Sequence, residues 1–218
     1  MTKRKFLHVG CGPKRKDSTT NVFNTNQWEE YTLDIDPSCS PDFIGTMTDL
    51  SMIENETFDA VYSSHNIEHL YIHEAIEAVK EFRRVLKKTG YVMIICPDLI
   101  STCEEIIKKG PYEPLYYLKN SQSNELSKES YVSGIDILYG WRQEIQKGNH
   151  YMAHNSGYDE EGLINLFSQN NFHTIFSLTR KNFFDIQLLA YKNEIEKEVG
   201  DNIFRDHMMK IKWEKPII

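Results

Sequence analysis

The chain has 218 residues, 40% of them hydrophobic, enough to bury a substantial core and suited to one large domain rather than two small ones. Lys and Arg number 25 against 32 Asp and Glu, a net charge of -7, which excludes a general electrostatic attraction to nucleic acid or to anionic lipid. Cys11, Cys39, Cys96 and Cys103 are scattered with no C-x-x-C pair, so neither a zinc site nor a disulfide framework is predicted, no metal ligand is assigned, and a reducing compartment is expected.

Two basic clusters near the N-terminus, Lys3-Arg4-Lys5 and Lys14-Arg15-Lys16, read as solvated flanks of a buried strand or as a local contact for an anionic group. The apolar run between them, Phe6 to Val9, is too short for a signal-peptide core, and no stretch approaches transmembrane length. A soluble cytoplasmic protein without membrane insertion is therefore expected.

In chain order, Phe6 to Val9 reads as a buried strand ended by the tight turn Gly10-Cys11-Gly12-Pro13. Thr32 to Ile35 is a second strand, stopped by Asp36-Pro37. Phe43-Ile44 is a weak third, and Phe58 to Tyr62 a fourth running into Ser63-Ser64. From Glu74 to Lys88 the residues Ile76, Val79, Phe82 and Leu86 recur at helical spacing, with Gly90 as the stop. Tyr91 to Cys96 is a strand rich in β-branched residues and closed by Pro97. Strands alternating with helices predict a mostly parallel sheet with right-handed crossovers.

Residues 97–157 break the pattern with Gly110-Pro111, Pro114 and a Ser/Asn/Lys/Glu-rich run from Lys119 to Ser130, and read as an inserted lid. Their aromatic and titratable residues, Tyr112, Tyr116, Tyr117, Tyr139, Trp141, Arg142, His150, Tyr151 and His154, suit a ligand-facing surface; alternatively they form a separate cluster or a homodimer contact. Asp159 caps a helix to Asn170, and strands at Thr174–Leu178 and Asp185–Tyr191 complete a seven-stranded sheet. The tail from Lys192 onward carries no clear signal, and there is no internal repeat.

In a parallel sheet ligands bind beyond the carboxyl ends of the strands. Gly10 and Gly12 stand after the first strand, where the lack of a side chain lets the backbone approach a bound molecule. Asp34 ends the second, 22 residues beyond Gly12, near the spacing at which an acidic residue accepts from a ribose. Its alternative is a turn acid. The third glycine of a dinucleotide fingerprint is replaced by Arg15, and Lys16 to Gln27 lacks helical periodicity, which argues against NAD.

With these motifs the chain resembles the class I S-adenosylmethionine-dependent methyltransferases, the small type 11-like group, over roughly residues 5–100 and more loosely 150–192. The matching segments are Leu7-His8-Val9-Gly10-Cys11-Gly12, Leu33-Asp34-Ile35-Asp36-Pro37, Gly45 to Ser51, and Phe58 to Leu70. The resemblance implies an α/β, Rossmann-like three-layer sandwich. It implies S-adenosylmethionine as cofactor, held by Val9, Gly10, Cys11 and Gly12 at the methionine, Asp34 and Ile35 at the ribose, Met47, Thr48 and Asp49 at the adenine, and Ser64 and His65 near the sulfonium. The family often has an aspartate where this chain has Thr46, so the adenine amino contact falls to Asp49 or to backbone groups.

The resemblance also implies methyl transfer to O or N of a small molecule, with a sugar or cell-surface precursor suggested by family analogy. The amino-methylating Asn/Asp-Pro-Pro-Tyr/Phe sequence is replaced by Ser63-Ser64-His65-Asn66. His154 and His65 are the candidate bases, because imidazole titrates nearest neutrality. His154 reads alternatively as a tie between lid and helix, His65 as a loop residue, and His69 as a buried, hydrogen-bonded histidine. The other readings are an NAD-dependent oxidoreductase, an aminopropyl transferase or a non-catalytic binding module.

Overall fold

A computed structural model describes residues 2–119 and 126–208. Part of the polar run at 119–130 and the end of the tail lie outside these residues. The core is a seven-stranded sheet built from β1 (Arg4–Val9), β2 (Trp28–Asp34), β3 (Phe43–Ile44), β4 (Phe58–Ser64), β5 (Leu86–Pro97), β8 (Ile175–Arg180) and β9 (Asp185–Tyr191), in the order β3-β2-β1-β4-β5-β9-β8. All neighbours pair in parallel except β9, which is antiparallel to β5 and β8. A separate hairpin pairs β6 (Pro114–Lys119) with β7 (Leu126–Ser133). This is a Rossmann-like α/β architecture with one reversed strand near the edge.

The strands are apolar on both faces, as a parallel sheet covered on both sides requires. In β5, Val92, Ile94 and Cys96 point to one face, while Tyr91, Met93 and Ile95 point to the other. On the first face lie α1 (Ile72–Val85), through Ala75, Ala78, Val79, Phe82 and Val85, and α5 (Glu160–Ser168), through Leu163 and Phe167. Asp159 caps α5 as expected, its carboxylate accepting from the Gly162 amide at 2.8 Å. The helix predicted to run to Lys88 instead ends at Val85. Leu86, which continues the helical spacing, is fully buried as the first residue of β5 opposite Phe58, so its burial is met in a strand.

The second face lacks the usual helix after β1, where only a 3-10 turn at Lys16–Ser18 forms. Phe23 fills that space, stacked on Phe6 at 4.3 Å and edge-on to Trp28 and Tyr62. The uninformative tail supplies the rest of the cover as α6 (Lys197–Met208), which inserts Phe204 and His207. His207 is fully buried between the Thr20 hydroxyl (2.7 Å) and the Tyr91 hydroxyl (3.0 Å). The basic clusters are drawn into the same framework. Arg4 lies over the Trp28 ring, and Lys16 Nζ donates to the carbonyls of Thr25 and Trp28.

Residues 97–157 hold more regular structure than their composition suggests: α2 (Leu99–Lys109), capped by Asp98, then the hairpin, α3 (Gly134–Tyr139) and α4 (Arg142–Gln146). Among the described residues no helix is long and apolar enough to cross a membrane.

Truncating Phe23 to Ala should cost about 3–5 kcal/mol, because it empties a fully packed aromatic site, and chemical denaturation will read the loss. Burial pushes the His207 imidazole down to about 3, whereas the unfolded chain takes up that proton near pH 6.5. The unfolded state therefore binds more protons between these values. Stability is fully present above pH 6.5 and should erode as pH falls toward 3, with a shallower slope in His207→Gln.

Candidate active site

The strand order places the carboxyl ends of β3, β2, β1, β4 and β5 side by side, and the loops leaving them carry nearly every residue nominated from sequence. At the centre is the turn after β1. Gly10 and Gly12 are both left-handed, with φ of 62° and 52°, a region that a side chain disfavours. Their surroundings differ. A Cβ on Gly10 would lie 2.2 Å from Asn66 Oδ1, whereas a Cβ on Gly12 would meet no protein atom within 4 Å. Gly10 is thus required by the protein's own packing, and Gly12 faces an open cradle in which a ligand can approach the backbone.

Three side chains hold this turn. Asp34 Oδ2 accepts from the Gly12 amide at 2.6 Å, and Oδ1 accepts from the Asp36 amide at 2.9 Å. Ionised, the carboxylate has about four acceptor positions, so two remain for a ligand. Asn66 Nδ2 donates to the carbonyls of Val9 (3.1 Å) and Ser64 (2.9 Å), joining the ends of β1 and β4. Arg15, in place of the third glycine, donates to the carbonyls of Gly12 (3.2 Å) and Cys39 (2.7 Å). The turn-acid reading of Asp34 and the ligand reading are therefore compatible: the same carboxylate ends the strand and lines the cradle.

The remaining nominated residues are distributed around it. Val9 and Cys11 are buried, and burial beside Asp34 raises the Cys11 thiol to about 11, which makes it inert. Ile35 is 43% exposed just past β2. Met47 and Thr48 are half-buried after β3, with the Thr48 hydroxyl 3.0 Å from that of Thr46. Asp49 is exposed, and its carboxylate accepts from the Ser51 amide at 3.0 Å. Ser64 ends β4.

His65 follows in a left-handed conformation, φ 56°, pinned by its amide to the Ile95 carbonyl at 2.7 Å. A non-glycine residue held there stores strain of the kind found at functional sites. Its side chain is 46% exposed, and desolvation by the surrounding protein, with the charges of Lys14 and Arg180, holds the imidazole below its ordinary value. His154 is brought to the same end of β4 from the far side of the 97–157 segment. Its Nδ1 bonds to the Ile137 carbonyl at 2.8 Å, its ring lies 4.9 Å from that of His69, and burial pushes it down to about 4. His69 is hydrogen-bonded to the Ala153 carbonyl at 3.0 Å. Sequence reasoning missed Asn66 and Glu68, whose partners are distant in the chain.

Residues 7–94 match a family model described as a methyltransferase domain, a span that runs from β1 into β5 and covers the glycine turn, Asp34 and the end of β4. Over this span, which is less than half of the 218 residues, the chain is similar to the methyltransferase domain family. No curated protein matches the chain. Among solved structures, a Pyrococcus horikoshii protein is 17% identical with a TM-score of 0.55, over 88% of this chain and 83% of that one. A Thermotoga maritima S-adenosylmethionine-dependent methyltransferase, described as a possible histamine N-methyltransferase, is 13% identical with a TM-score of 0.51 over 88% and 84%. A third similar structure, the Burkholderia thailandensis 1,6-didemethyltoxoflavin N1-methyltransferase with that compound and S-adenosylhomocysteine bound, is 11% identical with a TM-score of 0.53 over 88% and 72%. At these identities the likeness is one of fold.

The two glycines of the turn should separate on mutation. Gly12→Ala should keep its fold at a cost of about 1–2 kcal/mol for the left-handed alanine, yet bind S-adenosylhomocysteine at least tenfold more weakly by calorimetry. Gly10→Ala should be the less stable of the two, because its Cβ displaces Asn66. Undiminished binding by a folded Gly12→Ala protein contradicts the open-cradle assignment.

Proposed function

We propose that the chain is a class I S-adenosylmethionine-dependent methyltransferase that methylates a hydroxyl or amine of a small-molecule acceptor, with a sugar or cell-surface precursor as the class to test first. In this reading residues 1–218 form a single catalytic domain in which 97–157 cover the acceptor. The net charge of -7 disfavours nucleic acid as the acceptor. The small-molecule complex of the Burkholderia relative, and the exposed rings of Tyr112, Tyr139 and Tyr151 in the covering segment, support a small ligand with flat apolar faces.

When bound, S-adenosylmethionine supplies a methyl group on an already activated sulfonium. The backbone of Val9, Gly10, Cys11 and Gly12 would hold its methionine end, Asp34 and Ile35 its ribose, and Met47, Thr48 and Asp49 its adenine, with Ser64 and His65 nearest the reacting centre. What the chain must add is alignment of the acceptor, exclusion of water and a destination for the proton.

Of the two candidate bases, His65 is favoured. It is strained into place at the end of β4 and stays in contact with solvent, through which an accepted proton can leave. His154 has one nitrogen committed to the Ile137 carbonyl, which suits positioning better than proton uptake. The strained His65 is the observation that carries this assignment.

The test is S-adenosylhomocysteine release from S-adenosylmethionine over a panel of small polyols, amines and sugar precursors. With an active acceptor, His65→Ala should lose turnover by about 10²-fold or more, with S-adenosylhomocysteine affinity unchanged. Equal turnover by His65→Ala and the parent overturns the base assignment. Turnover only with macromolecular acceptors overturns the substrate class.

A further inference from the structure

Next to His65 the turn after β4 buries a carboxylate that the reaction above does not use. Glu68 is 1% exposed, and among the described residues neither of its carboxylate oxygens has a hydrogen-bond partner. Its nearest ionisable neighbour is His65, whose Nδ1 lies 3.7 Å from Oε1, beyond a good hydrogen bond. A carboxylate buried without a partner is costly enough that it either holds a proton or awaits a cation. Desolvation pushes this carboxyl up to about 8.

Two histidines meet it. Glu68, His69 and His154 each offer a ligand atom, and these atoms lie within 4.8 Å of one another. Both rings are anchored by Nδ1 to a backbone carbonyl, His69 to Ala153 at 3.0 Å and His154 to Ile137 at 2.8 Å. A ring that donates from Nδ1 keeps its lone pair on Nε2, and this outer anchoring is what orients the histidine ligands of metal ions. The two ligand-bearing segments are also laced together through the backbone. The amides of Asn155 and Ser156 donate to the Glu68 carbonyl at 2.9 and 3.1 Å, and Asn155 Nδ2 donates to the His69 carbonyl at 2.8 Å. Such lacing holds the two segments together before any ion arrives.

We propose that Glu68, His69 and His154 bind a divalent transition-metal ion at the end of β4, beside the acceptor side of the cofactor cleft. Two imidazoles and one carboxylate suit Zn²⁺, Co²⁺ or Fe²⁺ better than the all-oxygen ligation preferred by Mg²⁺ or Ca²⁺. Nitrogen and oxygen ligands lie about 2.0–2.2 Å from zinc, so the three donors close on one ion through small side-chain rotations. The ion supplies the positive charge that the buried carboxylate lacks. Three protein ligands are the number that leaves a coordination position open to water or to an acceptor oxygen. The set contains no cysteine, so the cysteine spacing gives no hint of it. Binding of the ion stands on these residues alone; a role for it in acceptor activation rests on the methyl-transfer reading.

The test is titration of chelator-treated full-length protein with Co²⁺, followed by its visible d–d absorption, and competition by Zn²⁺. One Co²⁺ per chain is expected, displaced by Zn²⁺, with X-ray absorption of the wild-type complex showing two imidazoles in its first shell. Glu68→Gln and His154→Ala should each weaken binding at least 100-fold, and circular dichroism reports whether they fold. If either fails to fold, the first shell of the wild-type complex decides. No stoichiometric binding to folded wild-type protein, a shell without imidazole, or unchanged affinity in both folded variants overturns the proposal. S-adenosylhomocysteine titrated into the same samples separates the two readings. Retained cofactor binding without ion binding removes the metal site and leaves the methyltransferase assignment intact; ion binding without cofactor binding does the reverse.

Discussion

The bond from the Gly12 amide to the Asp34 carboxylate, 2.6 Å long, joins the loop after β1 to the end of β2, and the rest of the cleft depends on it. It holds a left-handed glycine with its open side outward, and it leaves acceptor capacity on the carboxylate at the rim. Asn66 does the corresponding work between β1 and β4, filling the space that a side chain on Gly10 would occupy and bonding the carbonyls on either side. Three parallel strand ends are thereby locked in register around a surface of exposed backbone. In the proposed function that surface receives an adenosine cofactor without a phosphate-binding helix.

The missing helix after β1 has consequences on both sides of the turn. The cradle is braced by Arg15 donating to main-chain carbonyls, where a related dinucleotide site would use close helix packing. Behind it, the second sheet face is closed by aromatic packing around Phe23 and by α6, which returns from the far end of the chain to seat His207 between Thr20 and Tyr91. Residues near both ends of the chain thus carry part of the stability of the cofactor cleft. The 97–157 segment is likewise fixed to the turn after β4 by the backbone bonds of Asn155 and Ser156 to Glu68.

Much of this was legible in sequence where the signal is local. The two-residue β3 at Phe43–Ile44, the Asp159 cap and β9 from Asp185 to Tyr191 lie where periodicity and turn chemistry place them, because buried alternation and capping are decided within a few residues. The glycine turn and Asp34 were legible because their spacing reflects the crossover from β1 to β2. Features decided by distant partners were not. Leu86 satisfies a helical pattern yet pairs with Phe58, α6 is specified by an aromatic face built from the N-terminal half, and Asn66 finds Val9 57 residues away. Glu68 looks like an ordinary surface acid on a turn; its burial without a hydrogen-bond partner and the approach of His154 from beyond the hairpin are set in three dimensions. Regular structure in 97–157 was hidden by prolines and glycines that mark its element ends.

The central claim is that the ends of β1, β2 and β4 form the cofactor cradle, and a crystal structure of the protein with S-adenosylhomocysteine tests it most directly. The account predicts the homocysteine part against the Gly10–Gly12 backbone, with the ribose hydroxyls on Asp34. An adenosine bound elsewhere on the sheet, or a ligand in this cleft making no contact with Asp34 or Gly12, would contradict it.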